Sequence, residues 1–300
     1  MPLVVIARIV AAMISPRRKS PSAFVWCAIF AFAALGAGPA FSAARQAVDL
    51  ELVIATDVSP SIDEAEARLQ REGIAEAFLN PQVVQAIQAG SLGRIGVAYI
   101  DFSSRAYNKI VLNWQVVRDK TTAAAFASAL RNAPPSFGRH TSISEAIGLA
   151  SLLLEANDLD GTKKAIDISG DGPNNWGPDI ALARNDAVAQ NITINGLPIL
   201  GEGAFPGLDR YFSNCVIGGK GAFIVVAQGF QDFARAIRNK LILEIASASE
   251  EPRLIRAAEQ PALRFQPAPR GGNGRPLNQE GCENRFGFGP FGGFDFPPPR

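Results

Sequence analysis

A carboxylate and two hydroxyls stand at alternate positions in Asp57-Val58-Ser59-Pro60-Ser61. Oxygen side chains on a short loop suit a hard cation such as Mg²⁺, which takes oxygen ligands and keeps several of its waters. Alone, such a pattern is weak, because Ser and Asp are ordinary turn and cap residues. Two further donors strengthen it. Thr141 lies just ahead of a helical stretch, and Asp171 sits in the glycine-rich loop Gly170-Asp171-Gly172-Pro173-Asn174-Asn175.

The elements that must position these residues can be read from pattern. The apolar run Leu52-Val53-Ile54-Ala55 predicts a short strand buried on both faces, and Pro60 cannot continue a ladder. Asp63, followed by Glu64 and Glu66, opens a helix that Asn80-Pro81 stops. The first three donors therefore lie at the carboxyl end of a strand, where open α/β sheets bind ligands. Residues 94–102 predict a second strand. Residues 109–117 alternate as a half-exposed edge strand does, and the short link before them predicts antiparallel pairing. A helix follows over 121–131. Ser142 with Glu145 makes a capping box for a helix to Asn157. Strands at 164–169, 192–200 and 222–227 alternate with helices at 178–190 and 230–246. The fold class expected is α/β: a doubly wound, mostly parallel sheet with helices on both faces and one antiparallel edge strand.

The chain has 300 residues, of which 47% are hydrophobic, enough for one large domain with extensions. Its net charge of +1 hides an asymmetry. Residues 1–44 carry Arg8, Arg17, Arg18 and Lys19 and no acid, so removing those four cations leaves −3. A mildly acidic remainder argues against nucleic acid as a partner. Residues 1–44 read as a signal peptide: a basic Arg17-Arg18-Lys19, an apolar stretch over 23–36, then small residues with cleavage after Ser42 or Ala44. Met13 is an alternative start. The apolar stretch is short for a membrane span, so no stable membrane insertion is expected after cleavage, an uncleaved anchor being the alternative. A periplasmic or secreted protein follows. Cys27 would leave with the signal, and Cys215 and Cys282 can then pair or stay apart. From residue 250 to 300 the Gly/Pro/Phe-rich composition predicts a flexible tail.

The ordered set Asp57, Ser59, Ser61, Thr141 and Asp171 resembles the metal-ion-dependent adhesion site of von Willebrand factor A-like domains, over residues 48–249. The chain departs in one place, with Gly170 inserted between Ser169 and the aspartate. The resemblance implies a von Willebrand A, Rossmann-like fold holding Mg²⁺, or Mn²⁺ or Ca²⁺. The serines and threonine would reach the ion directly, and the aspartates would bind it or its waters. A coordination position is left open for a protein partner presenting Asp or Glu. Within that family the 170–175 loop and Val216-Ile217-Gly218-Gly219 look most like exported bacterial members of uncharacterised role.

Enzyme chemistry finds little support. His140 is the single histidine of the chain, and no G-x-S-x-G elbow or P-loop is present. Beside Thr141, His140 is expected as a loop hydrogen-bonder. Residues 201–207 imitate a dinucleotide loop but carry one residue too many and a proline where a helix should begin. The expectation is a non-enzymatic, metal-dependent binding module. The alternative is a metal-assisted hydrolase or phosphatase using the same Asp/Ser/Thr loops.

Overall fold

The computed structural model describes residues 45–201, 204–248, 266–267 and 282. The expected signal peptide, residues 1–44, lies outside them, as does the expected tail apart from Gln266, Pro267 and Cys282.

β1 (Gln46–Asp57) is the central strand. It pairs in parallel with β2 (Ile95–Phe102) on one side and with β4 (Leu159–Gly170) on the other. β3 (Lys109–Val117) lies at one margin, as its alternating pattern predicted, and runs antiparallel to β2, as the short link before it predicted. β5 (Ile192–Pro198) and the short β6 (Phe223–Ile224) continue the parallel sheet beyond β4. A two-residue β7 (Gln266–Pro267) pairs antiparallel with β6, inside the stretch where composition predicted no strand. Two residues leave no periodicity to read. The order is β3-β2-β1-β4-β5-β6-β7, the doubly wound order 3-2-1-4-5-6 with one strand added.

Alternation along the central strands divides the core into two layers. Leu50, Leu52 and Ile54, with Val97 and Tyr99, face one layer. That layer is closed by α1 (Glu64–Leu79), α2 (Pro81–Gln88), α3 (Lys120–Asn132) and α7 (Phe233–Ala246). Val53 and Ala55, with Ala98, Ile100 and Phe102, face the other. There α4 (Ile143–Glu155), α5 (Ile180–Ala189) and α6 (Leu208–Tyr211) with the turn after it cover the sheet. A strand covered on both faces reads as an unbroken apolar run, which is what 52–55 shows.

Several boundaries differ from the sequence reading. Asn80-Pro81 separates two helices instead of ending in a loop. Asn80 takes an extended conformation, closes α1, and caps α2 through Oδ1, which accepts from Gln82 N at 2.9 Å. Ser142 Oγ accepts from Glu145 N at 3.4 Å, but Glu145 does not return the bond, so half of the expected box forms. The strand expected over 222–227 shrinks to Phe223–Ile224, just after Gly219 and Gly221 at positive φ. Among the described residues no helix is long and apolar enough to cross a membrane.

Candidate metal centre

Chain order reverses between β1 and β4, and the crevice at their carboxyl ends is the switch point of the sheet. Asp57 is the last residue of β1, and Asp171 is the first beyond β4. The register Thr56↔Ser169 sets the ends of these strands level. Gly170 therefore lies beside Asp57, where a Cβ would come within 3.0 Å of Oδ2 and 3.1 Å of Asp57 Cβ. The inserted glycine makes room for the carboxylate and leaves Asp171 to turn over the loop.

Asp57 is fully buried. Its Oδ1 accepts from Ser59 N at 2.8 Å, which bends the chain out of the strand. Its Oδ2 is buried with no hydrogen-bond partner. Ser59 Oγ lies 3.1 Å from Ser61 Oγ, and Ser61 Oγ donates to Asp171 Oδ1 at 2.8 Å. Four of the five expected donors thus form one connected group, and the glycine insertion does not keep Asp171 away. Asp63 caps α1 directly after the loop, accepting from Glu66 N at 2.8 Å, so the loop is held between strand end and helix start.

Thr141 approaches from the side. It is 4% exposed, and its Oγ1 faces Gly172, 3.8 Å from where a Cβ would stand. Its backbone is tied to Asn175 twice: Thr141 N donates to Oδ1 at 2.9 Å, and Asn175 N donates to Thr141 O at 2.8 Å. The threonine loop and the Asp171 loop are thereby fastened together.

Sequence reasoning missed the residues that hold these loops. Ser103, just past β2, accepts at Oγ from Arg139 N and His140 N, donates to His140 O, and its carbonyl accepts from Ser142 N. Gln70 on α1 donates from Nε2 to Asp57 O at 3.3 Å. Asn174 Oδ1 accepts from Ser144 N at 3.0 Å, and Asn174 N donates to Tyr211 Oη at 3.1 Å. The asparagines and Ser103 were visible as polar loop residues, but nothing in their spacing signals these partners. The ring of His140 stacks on the exposed Trp176, with centroids 4.4 Å apart and planes 10° from parallel. In the expected loop hydrogen bonding, His140 takes part through its backbone.

Burial is the main electrostatic fact. It pushes the Asp57 carboxyl up to about 8, with the negative Asp171 adding to the rise and the bonds from Ser59 opposing it. Burial also raises Asp171, against the bond from Ser61. Among the described residues no group of three or more His, Cys, Asp or Glu could hold a metal. A cation here would rest on two carboxylates and on hydroxyls. The donor set is all oxygen, and one buried carboxylate oxygen is unspent; both fit a hard divalent ion.

The strand order, the antiparallel β3 and the Asp/Ser/Ser, Thr and Asp loops at the switch point define a von Willebrand A-like α/β domain. Residues 47–249 match the family described as a protein of unknown function, DUF1194, and the chain belongs to that family. No curated protein matches the chain. Among solved structures it is similar to the proximal thread matrix protein 1 of the mussel byssus with a zinc-occupied MIDAS motif, at 14% identity and a TM-score of 0.49, over 67% of this chain and 46% of that one. It is also similar to a von Willebrand factor type A protein from Catenulispora acidiphila, at 16% identity and a TM-score of 0.49, covering 66% and 43%. The pilus adhesin SpaC from Lactobacillus rhamnosus GG is similar at 16% identity and a TM-score of 0.47, covering 67% and 31%. The chain spans less than half the length of each of these.

Proposed function

We propose that this chain is an exported, divalent-metal-dependent binding module that captures an acidic group of a protein partner and does not turn it over. The observation that carries the reading is Asp57 Oδ2, a buried carboxylate oxygen without a partner, beside a second buried carboxylate linked to it through Ser59, whose N–H donates to Asp57, and Ser61, whose hydroxyl donates to Asp171. Such a group is costly in its charged form unless a cation completes it, and in the absence of one it takes up a proton. Asp57, Ser59, Ser61, Thr141 and Asp171 would hold Mg²⁺, Mn²⁺ or Ca²⁺. The ion would supply an electrophilic position for a carboxylate. Because three of the five donors are neutral hydroxyls, they leave part of the ion's charge unbalanced. An incoming Asp or Glu gains a charge-assisted bond there.

The remaining side chains are suited to positioning. Ser103, Gln70 and Asn174 fix the loops, and His140 is stacked on Trp176 at the rim. The test is a pull-down from the exported fraction with Mg²⁺ or with chelator, followed by binding to partners whose key Asp or Glu is changed to Asn or Gln. Retention that ignores both chelator and partner charge would overturn the proposal.

A further inference from the structure

Behind the metal loop, between α1, the ends of β1 and β2, and the segment after α3, lies a cavity of about 800 Å³. Its size is that of a small-molecule site. Four buried polar oxygens of its lining have no partner at full hydrogen-bond geometry: Thr56 Oγ1, Tyr99 Oη, Asp101 Oδ1 and Ser136 Oγ. Tyr99 and Asp101 are fully buried and Thr56 is 1% exposed. Tyr99 stands within long hydrogen-bonding reach of Thr56, Asp101 and Arg71, none of them at full hydrogen-bond geometry, so three of the four oxygens belong to one cluster. Native interiors seldom leave such capacity unused, and its concentration in one cavity points to a ligand.

The charges lining the cavity select the ligand class. Each carboxylate is already matched: Asp101 by Arg71, Glu64 by Arg68 and Glu72 by Arg131. Arg71 is further committed to the carbonyls of Ala133 and Pro134, at 2.8 and 3.0 Å. The lining therefore has no net charge to offer an ion. It offers one acceptor-only oxygen on Asp101 and three hydroxyls that both donate and accept. An ammonium would satisfy only the acceptors, and an anion only the donors. Neighbouring alcohol groups satisfy both.

We propose that this cavity binds a neutral polyol of monosaccharide size, whose hydroxyls donate to Asp101 and exchange hydrogen bonds with Tyr99, Thr56 and Ser136. The site is separate from the metal centre and does not depend on it. The test is saturable binding of glucose, galactose, mannose and myo-inositol to the full chain, read by calorimetry and melting temperature, with and without chelator. Methyl glycosides and short oligosaccharides, run alongside, separate a free sugar from the end of a glycan. At least one of these probes should bind and raise the melting temperature, equally with chelator present. Tyr99→Phe should weaken binding about tenfold or more, the loss of one buried hydrogen bond to ligand. If that variant fails to fold, Ser136→Ala on the surface segment carries the same comparison. No saturable binding by any probe at tens of millimolar would leave a water-filled cavity and overturn the proposal. So would binding that both variants leave unchanged.

Discussion

Asp57 and Gly170 stand side by side where β1 and β4 end, and a Cβ on the glycine would lie 3.0 Å from the aspartate's Oδ2. The residue that breaks the expected spacing of the Asp171 loop is thus what allows a buried carboxylate at the switch point. Gly170→Ala should shift that carboxylate and strain the strand pair. Overpacking of this kind costs about 1–3 kcal/mol. Denaturant unfolding should show the loss, and Mn²⁺ titration should show weaker binding than in the unaltered chain.

Metal should stabilise the domain through the same residues. A ligand present at about 100 times its Kd adds roughly 2.7 kcal/mol to unfolding. The melting temperature should rise with Mg²⁺ or Mn²⁺ in the unaltered chain and stay flat in Asp57→Ala and Thr141→Ala. Ser59→Ala should weaken the response while the fold persists, because its hydroxyl bonds only within the donor group and contributes nothing to the apolar layers. An unaltered rise in both the Asp57 and Thr141 variants would remove the site.

Binding without turnover has its own check. Metal-dependent phosphatase and esterase assays on the full chain should give no activity above background. Turnover that disappears with Asp57→Ala, in the absence of any metal-dependent partner, would favour the hydrolase alternative.

A different buried cluster sets a pH dependence. Asp167 on β4 pairs with Lys240 on α7, beside Glu244, which Asn195 on β5 donates to and Lys163 approaches at 3.4 Å. Burial pushes the Asp167 carboxyl from its ordinary 3.8 up to about 7, with Lys240 opposing the rise and Glu244 adding to it. A carboxyl whose folded value is raised binds its proton more tightly in the native state. Its contribution is therefore complete below the unfolded value and is lost as pH rises towards 7. One such proton is worth at most about 1.4 kcal/mol per pH unit. Between pH 4 and 7 the stability of the unaltered chain should fall relative to Asp167→Asn, measured by denaturant unfolding at each pH. A parallel course for the two proteins would contradict this.

The proposed export makes a covalent prediction. Cys215 and Cys282 are disulfide-bonded, with Cα atoms 5.4 Å apart, resolving a pairing that sequence left open. Peptide mapping of the exported protein without reductant should recover the two cysteines on one linked peptide. The N-terminus should lie near Ala43 or Arg45. Replacing both cysteines should cost about 2–4 kcal/mol, as expected for a crosslink closing a long loop.

What could be read from sequence was local. Pro60, Asp63 and the Asn80-Pro81 pair act within a turn of themselves, so the strand end and the start of α1 were legible. The oxygen donors were legible by type and by their positions between predicted elements. That Asp171 meets Ser61 was not, since it depends on a register between strands more than 100 residues apart. Ser103 and Gln70 gave no signal, because each acts on backbone groups that only the packed sheet brings near. Tyr99 looked like one more apolar strand position. Its hydroxyl becomes part of a buried polar cluster only when α1 and the segment after α3 close over it.

The pairing of β7 with β6 gives the sheet unequal margins. At one margin two antiparallel residues, with the nearby Cys215–Cys282 bond, occupy the flank of β6 that would otherwise accept a strand. At the other, β3 presents a nine-residue border with Ile110 exposed. Free strand borders are templates for chains adding edge to edge. Among the described strands the long border is that of β3, the margin at β7 being two residues. Self-association by strand addition would start at β3 and join two such borders into a closed pair, with β7 hindering growth into a fibre.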